Sequence, residues 1–355
     1  MNICNSLYRL DSILRFLAMA ELKLARLCSS GLTKTFIIFL LCSTAFSMNA
    51  VGQKQIKFAI ASDFHAPDVP DGAERLKAFV DAATREKVDF MIELGDFCRL
   101  DDRSLPFRNI WASFQGKSYH VIGNHDMDQY VVDEYVKGMG MPARYYSFDV
   151  GDFHFIVLDG NNMYDGKQYT HYARANYYQQ WWKRAYIDPE QMEWLRCDLM
   201  ATNKRCILFS HQSINRSLNN GIAVRNLLDD ENRRCGFHKV VMAFSGHDHS
   251  NYVDVINDIT YVQMNSGSYV WVGKPTGTEK RYPAEVNKKY SLLANSITYT
   301  KPLYGIVTLN SKGAVMKGQK AEFMPPTPQE LHLGKYLGIF PLLSTVPDLK
   351  IKFKK

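Results

Sequence analysis

The stretch KVVMAFSGHDHS, residues 239–250, joins an apolar run to two histidines that stand one residue apart. The run is short and apolar, which predicts a buried β-strand that ends at Gly246. In an extended segment, residues one apart point to the same side. We therefore expect His247 and His249 to face one crevice, with Asp248 pointing away. Because imidazole nitrogens bind divalent metals, this strand end is a candidate metal site.

Four other apolar runs end in the same kind of side chain, namely IKFAIASD (56–63), VDFMIELGD (88–96), SYHVIGNHD (118–126) and KRCILFSHQS (204–213). Loops at the ends of strands in α/β sheets converge on one crevice. One metal ion needs three or four ligands, so the larger set predicts two ions that share a bridging carboxylate. The metal-ligand candidates are Asp63, His65, Asp96, Asn124, His211, His247 and His249.

The segments between these runs predict the fold class. Residues 73–87 have helical periodicity, and residues 188–202 predict a helix with Asp188 as N-cap and Pro189 in the first position. Residues 145–160 predict a hairpin that turns at Gly151. Alternating strands and helices, followed by a strand-rich second half, indicate a mixed α/β sandwich. We expect one domain over 50–325 and a tail over 326–355 that either adds a late strand or stays loose.

The first 49 residues have the features of a targeting segment. Lys34 precedes the apolar run TFIIFLLCSTAF, and small residues follow it, as in a signal peptide. The run is too short for a comfortable membrane span. We expect an exported chain, periplasmic or secreted, with no stable membrane span after processing. An uncut N-terminal anchor and lipid attachment at Cys42 are the alternatives, although Leu41 fits lipid attachment poorly.

The composition and charge of the chain limit the kinds of partner that it can be expected to bind. The chain is 46% hydrophobic and 22% charged, which is typical of a globular protein, and its net charge of +7 is too mild to indicate a nucleic-acid surface. Neither the oligomeric state nor any disulfide pairing can be deduced from the sequence. The cysteines that an exported chain could pair are Cys98, Cys197, Cys206 and Cys235.

The ordered blocks D-x-H, G-D, G-N-H-D, H and G-H-x-H span residues 57–250 and resemble the calcineurin-like metallophosphoesterase superfamily. The resemblance implies a four-layer α/β/β/α sandwich with two mixed sheets and a site for two divalent metal ions. It assigns Asp63, His65 and His249 to the first ion, Asn124, His211 and His247 to the second, and Asp96 to both. An oxygen and nitrogen ligand set without thiolate accepts Mn, Fe, Zn or Co, so the identity of the metals stays open.

The resemblance also implies roles for two residues that bind no metal. His125 is expected near the leaving-group oxygen as a general acid or transition-state donor, and Asp126 is expected to orient it. Purple acid phosphatases place a tyrosine three residues after the bridging aspartate. Here that position is Arg99, so a tyrosinate–iron site is not expected. Arg99 either contacts substrate phosphate or pairs with Asp101 or Asp102 on the surface.

The stretch NNMYDGKQYTHYARANYYQQWWKRAY, residues 161–186, is rich in aromatic residues. Its rings either stack on a base or sugar of the substrate or pack into the core as one face of a helix. Asn161, His171 and Arg174 are polar candidates for substrate contact in the same stretch.

The function expected from these features is metal-dependent hydrolysis of a small phosphorylated substrate by a metal-activated water. Phosphodiesters and phosphomonoesters are both open. A pyrophosphatase acting on nucleotide-like diphosphates is the alternative that the aromatic stretch favours. A metal-stabilised binding protein without catalysis is the alternative of another class, but such a protein does not need His125.

Overall fold

The computed structural model describes residues 55–336 and 340–354. The predicted targeting segment, residues 1–49, lies outside the described residues. The helices are α1 (Gly72–Arg85), α2 (Leu105–Ala112), α3 (Val132–Met139), α4 (Pro189–Ala201), α5 (Gly221–Cys235) and α6 (Ala284–Lys289). The strands are β1 (Ile56–Ala61), β2 (Phe90–Glu93), β3 (Lys117–His120), β4 (Tyr146–Val150), β5 (Phe153–Val157), β6 (Asn162–Tyr164), β7 (Tyr169–His171), β8 (Arg205–Ser210), β9 (Val240–Ser245), β10 (Tyr252–Ile256), β11 (Ile259–Gln263), β12 (Tyr269–Trp271), β13 (Ser296–Thr298), β14 (Gly305–Asn310), β15 (Gly313–Gly318), β16 (Lys335–Tyr336), β17 (Phe340–Pro341) and β18 (Leu349–Lys352).

Two mixed six-stranded sheets organise the chain, one in the order β18-β15-β14-β1-β2-β3 and the other in the order β10-β11-β9-β8-β5-β4. In the first sheet β1, β2 and β3 run parallel, and in the second β5, β8 and β9 run parallel. Parallel strands end at the same edge of a sheet. The loops that follow β1, β2, β3, β8 and β9 are the ones that carry the predicted metal ligands.

Alternate residues of each sheet face two different hydrophobic clusters. Phe58 of β1 faces the inner cluster, where its ring centroid lies 4.9 Å from that of Phe90 and 5.9 Å from that of Phe155 in the other sheet. Ala59, its neighbour in β1, packs outward with residues of α1 and α2. On the second sheet, Ile156 of β5 packs outward with residues of α4 and α5. The layers are therefore helix, sheet, sheet and helix, and the predicted mixed α/β sandwich is confirmed.

Local signals in the sequence account for several element boundaries. The side chain of Asp188 accepts a hydrogen bond from the Gln191 amide at 2.9 Å, and Pro189 begins α4, as predicted. β4 and β5 form the predicted antiparallel hairpin, with Gly151 in the turn at a φ of 54°. Because both features depend on neighbouring residues alone, they could be deduced without knowledge of the fold.

The C-terminal tail supplies the edge strand of the first sheet. β18 pairs antiparallel with β15, with Lys352 opposite Gly313, so the tail packs as a late strand. Cys98, Cys206 and Cys235 are free thiols, and no disulfide joins any two of them. Within residues 55–336 and 340–354, no helix has the length and apolar character needed to cross a bilayer.

Candidate active site

Two groups of ligand-type side chains lie at the strand ends. We call Asp63, His65 and His249 the first cluster, and Asp96, His211 and His247 the second cluster. Within each cluster one ligand atom from every residue lies within 4.8 Å of the others. The two histidines of the GHDH stretch thus separate into different clusters, as the resemblance implies.

The backbone at these residues is left-handed rather than extended. The φ angles are 50° at Asp63, 56° at Asp96, 77° at His247 and 45° at His249. Left-handed residues other than glycine cost about 1–3 kcal/mol of strain and concentrate at functional sites. The expectation of an extended 247–249 segment is therefore wrong, because the chain turns at both histidines. Asp248 lines the same crevice instead of pointing away.

Hydrogen bonds to backbone carbonyls fix the orientation of one histidine in each cluster. Nδ1 of His211 lies 2.8 Å from the Leu94 carbonyl, and Nδ1 of His249 lies 3.0 Å from the Tyr269 carbonyl. A carbonyl only accepts, so each Nδ1 carries the proton and each Nε2 keeps a lone pair. Burial lowers the pKa of His65 to about 3, although Asp96 opposes this effect. This imidazole is therefore neutral at pH 7, the form that binds metals.

The contacts inside the first cluster match a metal site. Nε2 of His249 lies 3.3 Å from Nε2 of His65 and 3.3 Å from Oδ1 of Asp63. Oδ1 of Asp63 is buried and has no hydrogen-bond partner among the described residues. Buried polar atoms almost always have a partner. A divalent cation between these atoms supplies one, so the residues of this cluster fit the metal that the resemblance implies.

Asp96 lies between the clusters. Its Oδ2 is 3.2 Å from Nε2 of His211 and 3.8 Å from Nε2 of His65, which belong to different clusters. Oδ1 of Asn124 is 3.1 Å from the same His211 nitrogen. The structure thus places Asp96 where a bridging ligand is expected and adds Asn124 to the second cluster.

His125 contacts a carboxylate, but not the one that the sequence suggested. Its Nδ1 lies 2.9 Å from Oδ2 of Asp128. Asp126 instead accepts hydrogen bonds from the backbone amides of Asp96, Gly123 and Phe97 at 3.0, 2.8 and 3.1 Å. The expectation that Asp126 orients His125 is therefore wrong. Residues 125–127 form a 3-10 turn, in which side chains three residues apart lie above one another.

Two tyrosines of the aromatic stretch complete the surroundings of His125. The Tyr177 hydroxyl donates to Oδ1 of Asp128 at 2.6 Å, and the Tyr178 hydroxyl lies 3.1 Å from Nδ1 of His125. Burial disfavours the imidazolium form of His125, but the carboxylates of Asp96 and Asp128 outweigh burial and raise its pKa to about 9. The ion pair with Asp128 favours the protonated form of His125, which can donate a proton.

A crevice of about 860 Å³ opens at the two clusters. Segment 176–183 forms one of its walls. Within this segment Tyr177 is buried, whereas Tyr178 and Trp181 are 51% and 66% exposed and line the crevice. The two interpretations of the aromatic stretch thus apply to different residues. Beyond the clusters and His125, the lining consists of Tyr172, Tyr177, Tyr178, Trp181, Arg184, Ala185, Gln212, Arg216, Ser217, Asn219, Asp248, Tyr269, Trp271 and Leu292.

Two of the expected substrate contacts lie inside the protein. Asn161 is fully buried, and its Nδ2 donates to the Ile122 carbonyl at 2.8 Å while its Oδ1 accepts from Gln212 at 2.8 Å. Nε2 of His171 lies 2.7 Å from the buried carboxylate of Asp159. Neither residue lines the crevice, so their placement does not support substrate contact. Asn161 instead ties the loop before Asn124 to the residue that follows His211.

The other two expected contacts form ion pairs outside the crevice. Arg174 pairs with Glu134 at 3.0 Å and is exposed. Arg99 pairs with Asp68 at 2.8 Å, rather than with Asp101 or Asp102, and lines a separate hollow of about 480 Å³. Their placement does not support contact with a substrate bound at the clusters.

Residues that the sequence interpretation missed include Asp128, Arg184 and Arg216. Asp128 had a usable signal, since it stands three residues after His125 at the end of a turn-forming run. No sequence signal pointed to the two arginines, because their position on the crevice wall depends on how distant loops pack. Arg216 forms a bidentate ion pair with Asp254 at 2.8 and 2.9 Å.

Among solved structures, a dimetal phosphatase from Danio rerio aligns with 84% of this chain and 99% of its own, at a TM-score of 0.56 and 14% identity. The Plasmodium protein GAP50, described as the anchor in the inner membrane complex, covers 85% of this chain and 90% of its own, at a TM-score of 0.47 and 17% identity. An archaeal phosphodiesterase covers 74% of this chain and all of its own, with a TM-score of 0.37 and 13% identity. At such identities the first likeness shows a shared fold.

No curated protein matches the sequence. The family model for calcineurin-like phosphoesterases matches residues 56–251, which is more than half of the chain and includes both clusters. The chain therefore belongs to the calcineurin-like phosphoesterase family and is a hydrolase of phosphoric esters.

Proposed function

We propose that this protein hydrolyses small phosphate esters with the help of two divalent metal ions. The observation that carries the proposal is the pair of clusters that meet at Asp96, at one end of a crevice that also contains His125. Asp63, His65 and His249 would hold one ion, and Asn124, His211 and His247 the other. Bound divalent ions supply Lewis-acid chemistry at phosphorus and lower the pKa of water.

The residues around the clusters have separate tasks in this proposal. His125, in the protonated form that Asp128 favours, donates its proton to the leaving-group oxygen as the ester bond breaks. Asp128 holds Nδ1 of His125, which leaves Nε2 for that proton transfer. The backbone strain at the ligand loops keeps their side chains pointed at one place before substrate binds.

Both ester classes fit this arrangement, since a proton donor helps any poor leaving group. A pyrophosphatase acting on nucleotide-like diphosphates is the second candidate. Arg184 supports it, because this cation lines the crevice and no described carboxylate forms an ion pair with it. A diphosphate presents a second anionic group that an arginine can bind.

The experiment that tests the proposal is hydrolysis of bis(p-nitrophenyl) phosphate and p-nitrophenyl phosphate after chelation and after add-back of Mn²⁺ or Zn²⁺. His125→Asn is compared with His332→Asn, a change at an exposed histidine outside the crevice. We expect metal-dependent turnover that His125→Asn reduces and His332→Asn does not. Two tightly bound ions per chain without turnover of either ester would refute broad esterase activity.

We also propose that the mature protein is exported, which rests on residues 1–49 of the sequence alone. Cell fractionation followed by N-terminal sequencing of the mature chain tests this. An intact N-terminus on a cytoplasmic protein would refute it.

A further inference from the structure

The crevice is much larger than a phosphoryl group requires. Its volume of about 860 Å³ lies in the upper part of the usual range for small-molecule sites, about 300–1,000 Å³. The metal-ligand side chains make up only part of its lining, and the other lining residues come from other loops. The crevice therefore has room for the organic part of a substrate.

Aromatic side chains form a large part of the crevice lining. Trp181 and Tyr178 come from segment 176–183, and Trp271 comes from β12. Trp181 is 66% exposed although it is among the largest apolar side chains of the protein. One exposed ring is ordinary. Exposed rings gathered on the wall of a crevice are typical of a binding surface.

The remaining lining favours a flat, polar-edged ligand over an acyl chain. Leu292 is the one branched aliphatic residue among the crevice-lining residues, and an acyl chain needs several such side chains around it. Arg184 is half-buried in the same wall, and its Nε donates to the Trp181 carbonyl at 3.2 Å. Indole rings stack on heteroaromatic bases, and a guanidinium binds phosphate oxygens.

We propose that the crevice selects nucleotide-like phosphate esters, with a heteroaromatic base stacked on Trp181 and a second anionic group bound by Arg184. This inference rests on the proposed function, because the scissile phosphoryl group must lie at the metal clusters. Segment 176–183 then determines which esters are hydrolysed, whereas His125 donates a proton to the leaving group of each of them.

Two diesters with the same leaving group test the stacking. Thymidine 5′-(p-nitrophenyl) phosphate carries a nucleoside where methyl p-nitrophenyl phosphate carries a methyl group. We expect the wild type to prefer the thymidine ester, expressed as the ratio of the two kcat/KM values. Trp181→Ala should lower that ratio on the order of tenfold, the usual effect of removing one stacking partner, and Trp181→Phe should restore most of it.

The neighbouring tryptophan provides the matched control. Trp182 is 58% exposed but does not line the crevice. Trp182→Ala should lower the thymidine-to-methyl ratio far less than Trp181→Ala, because Trp182 does not line the crevice and only packs edge-on against Trp181, at 6.0 Å between ring centroids. A ratio that Trp181→Ala leaves unchanged, or that both variants lower equally, would overturn the stacking proposal.

Inhibition by adenine nucleotides tests the role of Arg184. The inhibition constants of AMP and ADP are measured against turnover of bis(p-nitrophenyl) phosphate. We expect ADP to bind on the order of tenfold more tightly than AMP in the wild type, the usual effect of one hydrogen bond to a charged group. Arg184→Gln should remove that difference, and Arg174→Gln, which alters an exposed arginine outside the crevice, should keep it. Equal inhibition by AMP and ADP in the wild type would contradict the second anion site.

Different results contradict the proposed function and the proposed substrate class. Absence of metal-dependent turnover of both bis(p-nitrophenyl) phosphate and p-nitrophenyl phosphate contradicts the proposed function. Normal turnover of either ester without a thymidine preference contradicts only the substrate class. Melting temperatures of the variants identify a loss of ratio that comes from unfolding, and Trp181→Leu, which keeps an apolar side chain but removes the ring, keeps the test valid if Trp181→Ala does not fold.

Discussion

Replacement of Asp128 by asparagine should slow hydrolysis of esters with poor leaving groups far more than hydrolysis of esters with good ones. In the structure Oδ2 of Asp128 lies 2.9 Å from Nδ1 of His125, and the Tyr177 hydroxyl holds the other oxygen at 2.6 Å. Asparagine keeps the shape of the side chain but loses its charge. It can also present an NH₂ group to Nδ1, which favours the wrong tautomer of the imidazole.

The size of the effect follows from the contact that is lost. A hydrogen bond to a charged group contributes about 1.5–3 kcal/mol, which corresponds to roughly 10- to 150-fold in rate. We expect that full loss for an alkyl phosphate ester, whose alkoxide must be protonated as it leaves. For a p-nitrophenyl ester the loss should be only about 2- to 5-fold, because nitrophenolate leaves with little help from a general acid.

The assay is kcat/KM for a series of aryl and alkyl phosphate esters, plotted against the pKa of the leaving alcohol. Asp133→Asn is the control, since Asp133 is an exposed carboxylate in the adjacent α3. A steeper dependence on leaving-group pKa in Asp128→Asn alone supports the positioning role. A loss of equal size across the series would refute the reasoning and point to a general effect of Asp128 on the fold of the site.

Three further outcomes can be measured. Asp126→Asn should lower the free energy of unfolding by about 3 kcal/mol, because asparagine replaces one of the two accepting oxygens with an NH₂ group that faces a buried amide donor, and should reduce the number of ions counted by elemental analysis. Chelation should lower the melting temperature, and metal at 100 times its Kd should restore about 2.7 kcal/mol of stability; an unchanged melting curve would contradict a site of the folded state. Burial disfavours the charged form of His154, but Asp198 and Asp149, at 2.8 and 2.7 Å, outweigh burial and raise its pKa. The stability from this imidazolium, about 2 kcal/mol, should be complete below about pH 6.5 and lost as pH rises through the folded pKa. His154→Gln should remove that pH dependence in urea melts, and an unaltered profile would contradict it.

Four of the five ligand loops could be predicted because each follows a buried apolar strand, whereas β3, before Asn124, is exposed at Lys117 and Ser118. Apolar runs such as that before Asp63 have no other stable environment than the interior of a sheet, and parallel pairing brings their ends to one edge. The identity of the ligands then follows from residue type alone. The prediction depends on neither the exact strand ends nor the loop conformations.

The course of the chain through the site could not be predicted in the same way. At His247 and His249 the backbone adopts left-handed angles, which the apolar pattern of the preceding strand does not predict. Gly246 lets Ser62 approach the start of this turn, because a Cβ there would collide with the Ser62 side chain. Segment 176–183 has no single period, since Gln180 leaves helical geometry at a φ of −137°. A periodicity argument therefore had no means of separating the buried Tyr177 from the exposed Trp181.

The contacts of Asp126 explain why a motif can be identified correctly and one of its residues still be assigned the wrong task. The carboxylate binds the amides of Asp96 and Phe97 on the loop after β2 and the amide of Gly123 on the loop after β3. Gly123 allows its loop to lie close to the loop of Asp96, because any Cβ at this position would collide with Asp96. Gly123, His125 and Asp126 of the GNHD run thus fix the position of Asp96, since the His125 amide also donates to Oδ1 of Asp96 at 2.7 Å. Sequence proximity to His125 suggested chemistry, whereas backbone hydrogen bonding shows that Asp126 joins the loop of Asp96 to the loop of Asn124.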